Sequence, residues 1–341
     1  MLAITRFLTT RTVLTAAAGA ALLSVTTASQ AADLSNLSGT VEIDGSSTVY
    51  PITEAVAEEF QKVAPGARVT VGISGTGGGF KRFVVGETDI SDASRPIKDK
   101  ELEAAQSGGV EFIEIPVAYD GLSIVINKEN DWAKDITVEE IQKIYLEEHA
   151  AKTWKDVRPE WPDIEIKAFG AGTDSGTYDY FKEVVAPDGQ SIRPDMSTSE
   201  DDNVLVTGVA GNKGGIGFFG CAYYFENQDK LSVLAVFNDE GNAVTPSAET
   251  VEDGSYNPFS RPLFIYVNTS SADRPEVDAF VGFYLENAAE LSDEVGYVRL
   301  PDSVYETARQ RYQSRVPGTC YWTEDMQPVK GPVTQVYTAT N

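Results

Sequence analysis

Val41-Glu42-Ile43-Asp44-Gly45-Ser46-Ser47-Thr48 is a short extended run that breaks into a loop of glycine and hydroxyl residues. Pro51 then opens a helix with Ile52, Val56, Phe60 and Val63 on one face. Comparable loops return at Ser74-Gly75-Thr76-Gly77-Gly78-Gly79, Ser91-Asp92-Ala93-Ser94-Arg95 and Gly172-Thr173-Asp174-Ser175-Gly176-Thr177. A helix start exposes unpaired N–H groups and a partial positive charge, so small hydroxyl residues there suit an oxyanion. One such loop is an ordinary cap or turn, whereas four on one chain point to a shared ligand. Within a helix, each glycine of Gly77-Gly78-Gly79 costs about 1 kcal/mol relative to alanine, a cost best explained where a ligand approaches the backbone.

Strands alternating with helices predict an α/β fold with a largely parallel sheet covered on both faces. The apolar run from Ile113 to Ile126 is too long for one ordinary strand and is interrupted by Pro116 and Gly121. It reads as a crossing between two lobes, and Pro262–Asn268 reads as the return crossing. Between them fall a helix near Val138–Tyr145, a strand over Ile164–Phe169 and the glycine-rich segment Gly214–Phe219. Helices near 275–290 and 301–312 precede a polar tail after Cys320. No fixed repeat length recurs, which excludes a solenoid.

Residues 1–31 carry Arg6 and Arg11, an apolar stretch from Val13 to Val25, and small residues at Ser29 and Ala31, the pattern of a cleaved export signal. The full chain has a formal charge of −25, and removing the two arginines of this segment takes it to −27. Such acidity excludes nucleic acid as a partner and leaves any anion site dependent on short-range donors in a sheltered cleft. Cys221 and Cys320 sit in an exported chain where a disulfide is permitted, and that bridge is expected, the other reading being two buried thiols. The single histidine, His149, follows Glu147 and Glu148 and reads as solvated, so a Ser-His hydrolase is not expected. No His pair, calcium-loop spacing or nucleotide-binding loop is present, so neither a metal nor a cofactor is expected.

At these loops the chain resembles the periplasmic phosphate-binding proteins of the PstS type. The resemblance is carried by Gly45–Thr48, Gly75–Lys81, Asp89–Arg95, Asp174–Thr177 and Gly214–Phe218. It implies a two-lobed periplasmic-binding-protein fold of type II with a ligand cleft between lobes joined by two crossings. The corresponding division is a signal over 1–31, one lobe over 32–118 plus 262–341, and the other over 119–261. It implies high-affinity binding of inorganic phosphate in the periplasm by a non-enzymatic monomer that serves the permease of an ABC importer.

Carried over residue by residue, Ser47 and Thr48 hold one side of the anion, with Thr76 and Gly77 beside them, and Ser175, Gly176 and Thr177 donate from the other lobe. Better-known members place an aspartate where this chain has Ser94 and an arginine where it has Ala171. Arg95 is the expected replacement cation, and Asp174, ahead of Asp202, the expected acceptor for the ligand's proton. The alternatives are another oxyanion, sulfate or molybdate, and an exported phosphatase on the same fold.

Overall fold

The computed structural model describes residues 34–338 apart from Asp174, Pro187, Asp188 and Glu324. The segment read as an export signal therefore lies outside the described residues. The first part of the chain builds β1 (Gly39–Gly45), α1 (Tyr50–Val63), β2 (Ala67–Ile73), α2 (Thr76–Phe83), β3 (Ile90–Ala93), α3 (Asp99–Gly108) and β4 (Phe112–Asn127). Next come β5 (Asp135–Ile136), α4 (Val138–Tyr145), α5 (Trp154–Val157), β6 (Lys167–Ala171), α6 (Gly176–Val185), β7 (Ser197–Ser199), α7 (Asp202–Ala210) and β8 (Gly215–Gly220). The remainder forms α8 (Cys221–Glu226), β9 (Leu231–Val233), β10 (Ala235–Phe237), β11 (Ala243–Val244), α9 (Ala248–Glu252), β12 (Ser260–Asn268), α10 (Pro275–Glu294), α11 (Asp302–Gln313) and α12 (Val333–Val336).

The main sheet runs β2-β1-β3-β12-β4-β8-β6-β7, with β9 also paired to β4. It is less parallel than the alternating pattern predicts. The β1–β2, β1–β3, β6–β7 and β6–β8 pairs are parallel, but every pair made by β4 or β12 is antiparallel. Strands joined through a local helix become parallel neighbours, whereas these two long strands run against the neighbours they join.

β4 is one strand of 16 residues, not an interrupted run. Pro116 is accommodated because the register with β12 shifts there: Ala118 faces Leu263 and Pro116 faces Phe264, leaving Val117 as an extra residue. The Val117 carbonyl accepts from the Tyr305 hydroxyl at 2.8 Å. Opposite Pro262, which has no N–H to give, the Tyr119 backbone exchanges hydrogen bonds with Val298 instead.

Aromatic packing fixes the helices that carry the loops. Phe60 of α1 meets Phe280 and Phe283 of α10 with ring centres 5.4 and 5.5 Å apart. Phe181 of α6 stacks on Phe218 of β8 at 3.7 Å, which holds the start of α6 toward the first loop.

The segment after Cys320 is not a loose tail. The buried Glu114 carboxylate accepts from Tyr266, from the Thr319 hydroxyl and from the Cys320 N–H, and Tyr337 donates to the Glu114 carbonyl. The expected disulfide is not formed, and both cysteines are buried thiols. Cys221 lies against Gly121 and the Cys320 amide against Glu114, seven residues apart on the same extended strand and so about 23 Å apart.

Candidate functional site

The hydroxyl loops converge on two cavities that share Ser47 and Asp179 as walls. The smaller, of about 260 Å³, collects Ser47, Thr48, Thr76, Gly77, Ser94 and Arg95 of the expected site. Its far side is made by Asp179 and Glu183 of α6 and by Arg261 of β12. The larger, of about 630 Å³, takes Ser175, Gly176 and Thr177 together with Thr173, Asp120 and Asp202. The donors expected from the two sides are thus neighbours across Ser47, not members of one cavity. Asp174 lies outside the described residues.

Local chemistry explains how each loop is held. The Ser46 hydroxyl accepts from the Thr48 N–H at 3.2 Å, which turns the chain into α1. Gly75 precedes α2 with φ 74°, a conformation that favours glycine. The Thr76 hydroxyl sits 3.0 Å from the Ser94 hydroxyl and accepts the Ser94 N–H at 3.1 Å, so two loops distant in sequence are tied together. Ser175 caps α6 by accepting the Thr177 N–H at 3.1 Å.

The glycine run serves packing as well as access. A Cβ on Gly79 would lie 2.6 Å from Gly45 Cα and 2.8 Å from the Asp44 carbonyl, so this residue lets α2 press onto β1. Gly77 has open space where a side chain would be. Gly176 has none: a Cβ there would lie 2.7 Å from Thr48 Cα.

The cation expected from sequence is engaged locally. Arg95 places NH1 and NH2 each 2.8 Å from Glu101, and Glu101 also accepts the Lys98 N–H at the start of α3. A second arginine in the wall of the smaller cavity, not singled out from the sequence, is Arg261. Its Nε donates to Asp120 at 3.3 Å, NH1 to Glu183 at 3.0 Å and NH2 to the Thr48 hydroxyl at 3.0 Å, with the guanidinium 3.6 Å over the Tyr180 ring. Burial pushes the Asp120 carboxyl upward in pKa, and Arg261 opposes that rise.

The two cavities differ in charge. Arg95 and Arg261 line the smaller one, while the larger carries Asp120, Asp179, Glu200 and Asp202 and no Lys or Arg among the described residues. Burial and the neighbouring Asp201 and Glu200 push Asp202 up to about 7. A carboxyl that rises so far by desolvation and like charge marks a region hostile to further negative charge. Among the described residues no cluster of three or more His, Cys, Asp or Glu is arranged to hold a metal ion.

A PBP superfamily domain matches residues 26–288. Protein SphX of Synechococcus elongatus is 51% identical over 283 residues, covering 82% of this chain and 83% of the relative. The phosphate-binding protein PstS of Staphylococcus haemolyticus is 42% identical over 271 residues, covering 79% and 84%. The chain belongs to the PstS/SphX family of phosphate-binding proteins. A crystal structure described as that of a possible phosphate binding protein from Planctomyces limnophilus superposes with a TM-score of 0.79 at 45% identity, over 82% of this chain and 99% of the other. The fold is accordingly the two-lobed type II periplasmic-binding architecture of that family. Within this PstS/SphX member, Ser94 stands in the cavity wall opposite α6, and the Asp179 carboxylate of α6 reaches the first loop directly, its Oδ2 2.8 Å from Ser47 Oγ.

Proposed function

We propose that this protein binds inorganic phosphate at the junction of the two cavities and delivers it to the permease of an ABC importer. The observation that carries the reading is Ser47, which faces both cavities at the point where the Ser46–Thr48 loop meets the first turn of α6. One lobe, 32–118 plus 262–341, supplies Ser47, Thr48, Thr76, Gly77 and Ser94, and the other, 119–261, supplies Ser175, Gly176 and Thr177. Ligand therefore rewards closure about the long strands near 118–121 and 260–263. Family membership and the names of the relatives at 51% and 42% identity support this reading.

Selection of phosphate over sulfate needs an acceptor for the proton that hydrogen phosphate keeps and sulfate lacks. Asp179 fits that role better than Asp202, which lines the larger cavity alone. The salt bridges of Arg261 go to Asp120 and Glu183, and among the described residues Asp179 makes none.

The protein acts as an exported monomer, its segment 1–31 being removed on export. No helix among the described residues is long and apolar enough to cross a membrane. It turns over no phosphate ester: His149 is exposed and lines neither cavity, so no histidine is at hand to activate a serine. Calorimetry on phosphate-stripped protein tests the assignment. Phosphate is expected to bind at micromolar affinity or tighter, about −8 kcal/mol. Heat with sulfate or molybdate and none with phosphate would overturn it.

A further inference from the structure

We infer that Arg261 is the cation of the oxyanion site, and that it couples ligand to closure by holding α6 against the Ser46–Thr48 loop. This rests on the phosphate reading above for the location of the site. The Arg261 side chain is only 13% exposed and lies in the wall of the smaller cavity. A guanidinium carries five N–H donors. Three are used, toward Asp120, Glu183 and the Thr48 hydroxyl, which leaves two for an anion.

Its position is set from three directions. Asp120 fixes the Nε edge from β4, the strand opposite, because Arg261 and Asp120 are register partners. The Tyr180 ring 3.6 Å away fixes the plane of the fork. Glu183 and Thr48 lie on the two sides of the cleft, one in α6 and one at the entry to α1, and NH1 and NH2 divide between them. An anion arriving beside Thr48 meets a charged donor already oriented, so little rotamer freedom is lost on binding. Arg95 offers no such fork, since both its terminal nitrogens face Glu101.

The charge ledger favours the same role. Arg261 sits between Asp120 and Glu183, two carboxylates that keep an otherwise uncompensated guanidinium acceptable in a partly buried place. An anionic oxygen that takes one of the two remaining N–H groups adds a charged acceptor while the bonds to Asp120, Glu183 and Thr48 stay in place.

The experiment compares phosphate titrations of the wild type, Arg261→Gln and Arg261→Lys, each with a thermal melt and a small-angle scattering measurement of compaction on adding phosphate. Arg261→Gln is expected to bind at least about 30-fold more weakly, as for truncating one partner of a buried charged pair. Arg261→Lys keeps the charge but not the fork and should fall between the two, and both variants should compact less than the wild type. Arg261→Gln within about threefold of the wild type overturns the inference. If that variant melts before it can be titrated, an unchanged affinity in Arg261→Lys overturns it. A wild type that ignores phosphate but binds sulfate or molybdate fails the functional reading instead, and the same three titrations with that anion then decide the role of Arg261.

Discussion

Ser47 Oγ donates to Asp179 Oδ2 at 2.8 Å, joining two residues 132 positions apart in the wall that both cavities share. The contact places a carboxylate against the Ser46-Ser47-Thr48 loop. In that position it favours an anion that still carries a hydrogen and opposes one that has only acceptors. Asp179→Asn keeps a carbonyl acceptor but loses the charge and brings an N–H₂ donor. We expect it to narrow the phosphate-to-sulfate affinity ratio by about tenfold or more, the scale of a hydrogen bond to a charged group. Calorimetric titration of both anions against both proteins measures this, and an unchanged ratio removes Asp179 from the selectivity argument.

Gly176 and Gly77 are predicted to respond differently to the same added methyl group. At Gly176 the methyl would lie 2.7 Å from Thr48 Cα and 3.1 Å from the Ser47 carbonyl, both backbone atoms that cannot swing aside. Gly176→Ala should hold α6 away from the loop and weaken phosphate binding at least about tenfold, a loss of roughly 1.4 kcal/mol. At Gly77 there is open space, and alanine should favour α2 by about 1 kcal/mol. A Gly77→Ala protein that melts higher yet binds phosphate more weakly would show that the ligand approaches the backbone there. Equal affinity would assign the residue no part in binding.

The loops were legible because their signal is local. Gly45-Ser46-Ser47-Thr48 lies between the end of β1 at Gly45 and the start of α1 at Tyr50, one residue ahead of the Pro51 the pattern points to, although the helix is entered through Val49 without a side-chain cap. Partnerships between distant segments were not legible. Arg261 reaches Asp120 only through the antiparallel register of β12 on β4, and nothing within Ser260-Arg261-Pro262 announces that neighbour. The available hint was a lone arginine at the mouth of a buried apolar strand. Arg95 lines the smaller cavity, and a carboxylate six residues on, at the start of α3, is near enough to engage both its terminal nitrogens. The third glycine of the α2 run reads as a ligand feature but answers to helix-on-strand packing, which the sequence of one segment does not contain.

Asp92 gives a pH dependence whose sign can be worked out. It is 1% exposed on β3, and burial pushes its carboxyl up to about 8, with the charge of Asp44 adding to the rise and the Thr53 hydroxyl opposing it. An unfolded aspartate titrates near 3.9, so between about pH 4 and 8 the folded protein holds more protons than the unfolded chain. Stability from this group is therefore greatest at low pH and declines as pH rises, by at most about 1.4 kcal/mol per pH unit. Asp92→Asn removes the titration. Its stability relative to wild type, measured by urea unfolding at pH 5, 6.5 and 8, should increase with pH, and a difference that stays constant would show that Asp92 does not titrate in this range.

The thiols supply the last prediction. Cys221 is buried, accepts from the Ser123 hydroxyl at 3.2 Å, and has its thiol pushed up to about 12 by burial, so almost none of it is thiolate at pH 8. Cys320 is buried beside the Glu114 cluster that holds the C-terminal segment. A thiol-specific chromophoric reagent should therefore react slowly with the native protein and release two equivalents once the chain is denatured. Reductant should leave the melting temperature unchanged. Were the two joined, the bridge would close a loop of 320 − 221 = 99 residues, worth about 4.7 kcal/mol, and reduction would lower the melting point by several degrees. A denatured chain that releases no thiol would place Cys221 and Cys320 side by side, which the separation of Gly121 and Glu114 along β4 forbids in this fold.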